Sequence, residues 1–185
     1  LHCGPGYGGS CFPKDTKAII DIGKKYGEDM MVIKAAVLAN EKQKRKMVEK
    51  IISKMNGVKG KVIGVLGLSF KPDTDDMREA PSIDIVRGLV EEGAKIHAYC
   101  PEGIKEARWR LSDIEKNIIY CADEYSVAND VDGIVLITEW NQFRGMNLLK
   151  VRDRMKDNFY FDLRNIYAKD ENVRKIFKYY PVGQN

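Results

Sequence analysis

Metal-ligating side chains are scarce in this chain of 185 residues. It holds two histidines, His2 and His97, and four cysteines, Cys3, Cys11, Cys100 and Cys121, none in a C-x-x-C pair. That scarcity argues against a zinc centre, which draws several such ligands together at short spacing. It also weakens a cysteine-hydrolase reading, in which an imidazole must stand beside the thiol. No run is long and apolar enough to span a membrane, and nothing resembles a signal peptide. A reducing, cytoplasmic setting with no membrane partner is therefore expected. Charge of one sign is not massed either: 31 Lys and Arg face 27 Asp and Glu, a formal net charge of +4. Such a balance suits a small anionic ligand and offers no basic patch for nucleic acid. Repeats and low-complexity segments are missing. At 44% hydrophobic and 31% charged residues, the composition is that of a soluble globular protein. The chain has no initiator methionine, and Leu1-His2-Cys3 runs straight into a glycine-rich loop, so we read it as a piece of a longer protein.

What is present is concentrated in the run Gly4-Pro5-Gly6-Tyr7-Gly8-Gly9-Ser10-Cys11-Phe12-Pro13-Lys14-Asp15. Glycine allows positive φ and close approach of backbone to a ligand. Pro13 suits the first turn of a helix, so Cys11 is expected at or just before a helix N-terminus. There the helix dipole and Lys14 would favour the thiolate, the nucleophilic form of a cysteine. Asp15, one helical turn beyond Cys11, is the candidate base for water or a proton. The plain alternative is a small buried cysteine beside an ordinary glycine loop.

Residues 14–26 read as a helix with Ala18, Ile19 and Ile22 in an apolar stripe, stopped by Gly27. From Met30 to Met55 the periodicity is again helical, and Ile33, Val37, Met47, Ile51 and Met55 fall near one face. At 1.5 Å per residue this helix would run about 39 Å. It needs a partner surface, and a second copy of the chain is expected to cover Met47 and Ile51. Gly57-Val58-Lys59-Gly60 marks a boundary. Residues 1–57 are expected to hold the cysteine loop and a helical region, and residues 58–185 a β/α domain. Strands are predicted over 61–68, 95–99, 117–121, 133–138 and 159–163, with helices over 82–92, 103–109, 124–129 and 148–155. This alternation predicts a parallel sheet with helices on both faces. Its first βα turn, Gly64-Val65-Leu66-Gly67-Leu68-Ser69, lacks G-x-G-x-x-G. Its second strand ends Tyr99-Cys100-Pro101, without the acidic residue that a dinucleotide ribose takes. The sheet is therefore not expected to be a dinucleotide site, and Cys100 reads as a packed strand-end residue. Ligands of an open α/β sheet bind beyond the carboxyl ends of its strands. There lie the polar loop from Ser69 to Pro81 and, after the fifth strand, Arg164. Both heads, Lys71 and Arg164, are expected to face a wet cleft.

These segments together resemble the UDP-glucose/GDP-mannose dehydrogenase family. The first run is similar to its catalytic-cysteine motif G-x-G-[FY]-G-G-x-C-[FL]-x-K-D. Phe70 to Pro81 is similar to its F-K-x-x-T-D-D-x-R-x-S-P loop, Thr138 to Phe143 to its T-E-W-x-x-F, and Asp162-Leu163-Arg164 to its D-x-R. Cys100-Pro101 departs from the Asp-Pro frequent in the family. The resemblance implies a long connecting helix that supplies much of a homodimer interface. It further implies that a Rossmann-like parallel-sheet nucleotide-sugar-binding domain follows that helix. It also implies oxidation of the C6 alcohol of a UDP- or GDP-sugar to a carboxylate with two NAD. Cys11 would carry a thiohemiacetal and then a thioester, and Asp15 would help activate the water that releases the acid. By the same resemblance His2, Cys3, Gly4, Pro5, Gly6, Tyr7 and Gly8 would line the sugar, with backbone amides turned toward it. Phe70, Lys71 and Arg164 would contact the nucleotide sugar, and Lys14 and Arg78 the cofactor. Asp75 and Asp76 would hold their loop and position Arg78, while Trp140 and Phe143 pack. Enzymes acting on UDP-glucose, UDP-N-acetylmannosamine and GDP-mannose share these motifs. The family's NAD domain and its upstream lysine, asparagine and arginine have no counterpart in these residues. The chain alone is therefore expected to act as a nucleotide-sugar-binding module that does not reduce NAD.

Overall fold

Residues 3–184 are described by a computed structural model. The glycine loop leads into α1 (Cys11–Lys25). Pro13 occupies its first turn, where a missing N–H leaves no hydrogen bond unmade, and Lys24 and Lys25 in its last turn suit the negative end of the dipole. After a short turn comes α2 (Met31–Lys54), 24 residues and about 36 Å long. The sheet domain follows as β1 (Val62–Leu66), α3 (Pro81–Glu91), β2 (Lys95–Tyr99), α4 (Ile104–Arg110), β3 (Ile118–Tyr120) and β4 (Gly133–Leu136). It ends with α5 (Asn141–Arg144), α6 (Leu148–Arg152), β5 (Phe159–Asp162), α7 (Val173–Ile176) and β6 (Lys178–Pro181).

All strand pairings are parallel, and the order across the sheet is β3-β2-β1-β4-β5-β6. β1 and β4 are apolar because both their faces are covered; Ile63 to Leu66 and Gly133 to Leu136 are all buried. From β1 the chain builds outward first to β2 and β3, then returns to lay β4, β5 and β6 on the other side. The crevice between the carboxyl ends of β1 and β4 is the switch point at which such sheets receive ligands.

The sixth strand is absent from the sequence prediction. β6 pairs with β5 through Tyr160 opposite Tyr179, but four residues ending in Pro181 give no alternation to read, and an edge position tolerates that proline. α5 and α7, four residues each, are too short to show a period. The strand predicted over 61–68 ends at Leu66, since Gly67 to Ser69 peel away into the ligand-side loop. The helix predicted over 124–129 is only a 3-10 turn at Ser126–Ala128.

The larger correction concerns α2. Met47, Ile51 and Met55 are buried within the chain itself, sharing one core with Ile63 of β1 and Ile85 and Leu89 of α3. No second copy is needed to cover Met47 and Ile51. The first half of α2 is the uncovered part: Met31, Val32 and Leu38 are exposed, as are Phe12, Ile19 and Ile22 of α1. Among the described residues no helix is long and apolar enough to cross a membrane, and no group of three or more His, Cys, Asp or Glu could hold a metal ion.

Candidate active site

The glycine loop lies over the switch point, pressed between α2 and the loop that follows β1. Tyr7 N–H donates to Asn40 Oδ1 at 2.7 Å, and Gly9 N–H donates to the Arg78 carbonyl at 2.7 Å. Gly8 runs so near the β1–α3 loop that a Cβ there would sit 2.5 Å from the Glu79 carbonyl oxygen, which excludes any side chain. Phe70 packs its ring against Gly9, and Tyr7 meets Phe12 edge-on, with centroids 4.7 Å apart. The backbone amides of Tyr7 and Gly9 are thus spent on the protein's own acceptors and are not turned toward a ligand. Pro5 is buried, and Cys3 Sγ accepts from Asn165 Nδ2 at 2.9 Å. His2 lies outside the described residues.

Cys11 is the first residue of α1 and is exposed, with Ser10 Oγ 3.6 Å from its sulfur. Lys14 and Asp15 are exposed as well and face each other at 3.7 Å. No hydrogen bond joins either to Cys11 among the described residues, so the candidate base stands near the nucleophile without touching it.

Two clefts flank the loop. One, of about 750 Å³, is lined by Gly4, Tyr7, Asn40, Lys71, Glu139 and Arg164, with Gly6, Gly8 and Phe70 also on its wall. Lys71 is exposed there, its Nζ 5.4 Å from the centre of the Phe70 ring. Arg164 is not the free surface head that its position suggested, because its side chain is only 14% exposed. Its Nε donates to the Ile137 carbonyl and faces Glu139 Oε2, both at 3.0 Å, and its Nη2 reaches the Phe70 carbonyl at 3.4 Å. Fully buried Asp162 holds the turn that presents it, accepting from Arg164 N–H at 3.1 Å, Tyr167 N–H at 2.9 Å and Tyr179 O–H at 2.6 Å.

The other cleft, of about 780 Å³, opens on the far side of the loop between Lys14, Lys17, Arg78 and Arg110, with Asp21 and Glu79 also lining it. Arg78 forks onto Asp76 at 2.8–3.2 Å and holds that carboxyl below its usual range. Asp76 therefore does the work expected of Asp75 and Asp76 together; Asp75 is exposed. Lys17 pairs with Glu79 at 2.9 Å, tying α1 to the same loop. Trp140, Phe143 and Cys100 are buried packing residues.

Residues 64–169 match the model of the UDP-glucose/GDP-mannose dehydrogenase family, UDP binding domain, and residues 1–42 that of the family's central domain. The chain belongs to the UDP-glucose/GDP-mannose dehydrogenase family. Among similar family members, UDP-glucose 6-dehydrogenase of Rhizobium meliloti is 42% identical over 186 residues, covering 100% of this chain and 41% of the relative. UDP-glucose 6-dehydrogenase TuaD of Bacillus subtilis is 39% identical, covering 100% of this chain and 39% of the relative. A solved UDP-glucose dehydrogenase from Pyrobaculum islandicum superposes with a TM-score of 0.83 at 33% identity, over 98% of this chain and 39% of that one. The chain thus spans about two fifths of the length of these relatives.

Asn40, Gln43, Glu139, Lys17 and Arg110 line the clefts without having been singled out in the sequence. One signal was available for Asn40: it interrupts the apolar stripe of α2, and a polar residue on a buried face is the informative exception.

Proposed function

We propose that this chain is the catalytic-cysteine and substrate-binding part of an NAD-dependent nucleotide-sugar 6-dehydrogenase of the UDP-glucose type. Residues 1–57 supply the nucleophile loop and the helical dimerisation region, and residues 58–185 the nucleotide-sugar-binding domain. The observation that carries this is the convergence of Lys71, Arg164 and the glycine loop on one cleft at the switch point of the sheet. Two cations from separate elements suit the pyrophosphate of a nucleotide sugar: Lys71 is free to reach it, and Arg164, held by the Ile137 and Phe70 carbonyls, adds a fixed positive charge beside it. The glycine loop forms the wall on which the sugar would lie, and Cys11 follows two residues after Gly9 at the start of α1.

The donor set of the second cleft fits a dinucleotide pyrophosphate, with Lys14 and Arg78 as the holding pair and Lys17 and Arg110 beside them. Bound there, NAD would supply the hydride acceptor for both oxidations of C6. Cys11 holds the carbon covalently between them: its sulfur adds to the aldehyde, giving a thiohemiacetal, and remains attached in the thioester. Asp15, one turn along α1, takes the proton of the water that displaces the sulfur and frees the carboxylate. The first βα turn of the sheet lacks the dinucleotide fingerprint, so the isolated chain binds the sugar nucleotide without reducing NAD.

Calorimetric titration with UDP-glucose tests the cleft. Lys71→Ala removes an exposed head that holds no buried partner, so affinity should fall about tenfold or more with the thermal midpoint unmoved. Unchanged affinity would take the nucleotide sugar away from this end of the sheet.

A further inference from the structure

α2 meets the glycine loop with side-chain amides rather than apolar groups. Asn40 is 8% exposed. Its Oδ1 accepts from Tyr7 N–H at 2.7 Å and its Nδ2 donates to the Tyr7 carbonyl at 3.2 Å. One residue of the loop is therefore gripped at both its backbone groups, as a neighbouring strand grips its partner. One turn on, Gln43 Nε2 donates to the Gly4 carbonyl at 2.9 Å. Between these two grips Gly6 passes at φ +134°, where a Cβ would stand 2.9 Å from Asn40 Oδ1. The loop lies against the helix too closely for any side chain to intervene. The next residue, Lys44, is 3% exposed and pairs with Asp84 of α3 at 2.9 Å and Glu41 at 3.1 Å. Gly9 N–H on the Arg78 carbonyl completes the circuit. The helix, the glycine loop and the β1–α3 segment are each fastened to the other two.

Cys11 has no comparable fastening of its own. It is exposed, and its sulfur has Ser10 Oγ at 3.6 Å for company. Where it stands is decided by the backbone that leads up to it. We propose that Asn40 and Gln43 are positioning residues of the active site: their amides fix the backbone of Tyr7 and Gly4 and so set where Cys11 stands relative to the nucleotide-sugar cleft. This rests on Cys11 being the nucleophile of the function proposed above. An amide is the group required, because the Tyr7 N–H and C=O need a donor and an acceptor together, and buried backbone groups left unmet are costly. A carboxylate of the same shape would keep the N–H bond and set an acceptor against the Tyr7 carbonyl.

The test uses the full 185-residue chain as wild type, Asn40→Ala, Asn40→Asp and Gln43→Met, with Lys42→Ala at an exposed position of the same helix as control. Iodoacetamide alkylation of Cys11 is followed by peptide mass separately from Cys3, Cys100 and Cys121, together with amide exchange over residues 4–9 and UDP-glucose affinity. Both Asn40 variants should speed exchange over residues 4–9 about three- to tenfold, the population change that one net hydrogen bond is worth. They should also shift Cys11 alkylation while leaving Cys121 at the wild-type rate, and Lys42→Ala should change neither. A fall in thermal midpoint with Cys11 alkylation and loop exchange unchanged would mean that the amides serve only the fold, and would overturn the proposal. Should Asn40→Ala not fold, Gln43→Met decides by the same readouts. A wild-type chain without affinity for UDP-glucose would sink the functional reading of the cleft. The alkylation comparison would still decide whether the amides place Cys11.

Discussion

Arg164 depends on a side chain 15 residues further along. Asp162, with no exposure, accepts from two backbone N–H groups and from Tyr179 O–H at 2.6 Å. Burial, and then the bond to Asp162, push the Tyr179 hydroxyl far above the usual phenol range, so it stays a donor at any ordinary pH. Tyr179→Phe takes away one partner of a buried carboxylate. It should lower stability by about 1.5–3 kcal/mol, the range for a hydrogen bond to a charged group, and weaken UDP-glucose binding through a looser Arg164. Urea denaturation and calorimetry check the two effects; a variant with unchanged affinity would show that Arg164 holds its place without this strut. Arg164 could be read in the sequence because D-x-R ends a strongly apolar strand. Tyr179 could not, because its strand ends in Pro181 after four residues and gives no alternation to recognise it by.

At the scale of elements, α2 was legible in extent and misread in orientation. Its expected span of 30–55 and its observed span, Met31–Lys54, differ by a residue at each end, since an unbroken helical run without glycine or proline is the strongest of local signals. Its faces were harder. Asn40 and Lys44 sit between Val37 and Met47 on the buried side, and a polar residue at such a position reads as a gap in the stripe until its partner is known. Burial pulls the Lys44 ammonium down, but its ion pairs with Asp84 and Glu41 outweigh that, and its pKa stands above the ordinary 10.5. A group whose pKa is raised by folding adds stability that is complete below the unfolded value and is lost as pH rises through the folded one. Lys44→Met should therefore cost stability by a constant amount at neutral to mildly alkaline pH. The gap from wild type should narrow only above pH 10.5. Urea midpoints of both proteins across that range would show it; a gap that closes already near neutrality would mean that the pairs contribute nothing.

For the molecule as a whole, the parallel α/β architecture followed from alternation, because strands buried on both faces read as the apolar runs Val62 to Leu66 and Gly133 to Leu136. What did not follow was which surface remains uncovered, since that depends on how α2 rolls against the sheet. With Met47 and Ile51 already covered, the homodimer we propose uses α1 and the first half of α2. There Phe12, Ile19 and Val32 line an apolar cleft of about 340 Å³, and Val32 is 83% exposed. Burying such area favours association by roughly 25 cal/mol per Å². Sedimentation should find a dimer, and Val32→Glu or Leu38→Glu should shift it to monomer without lowering the thermal midpoint of the sheet domain. A wild-type chain that remains monomeric at concentrations well above micromolar would remove the helices from the interface.

The bond between Asn165 Nδ2 and Cys3 Sγ joins residues 162 positions apart. The glycine loop is made before one wall of its berth, since Asn165 follows Cys3 by 162 positions. At ordinary rates of synthesis, that leaves roughly ten to thirty seconds between the two events. Throughout that interval Cys3 and Cys11 are tethered to a growing chain with no cleft to enter, and closing so long a span is among the slowest contacts a domain makes. The reactive loop thus waits for the wall that holds it, and its seating is a late event of folding.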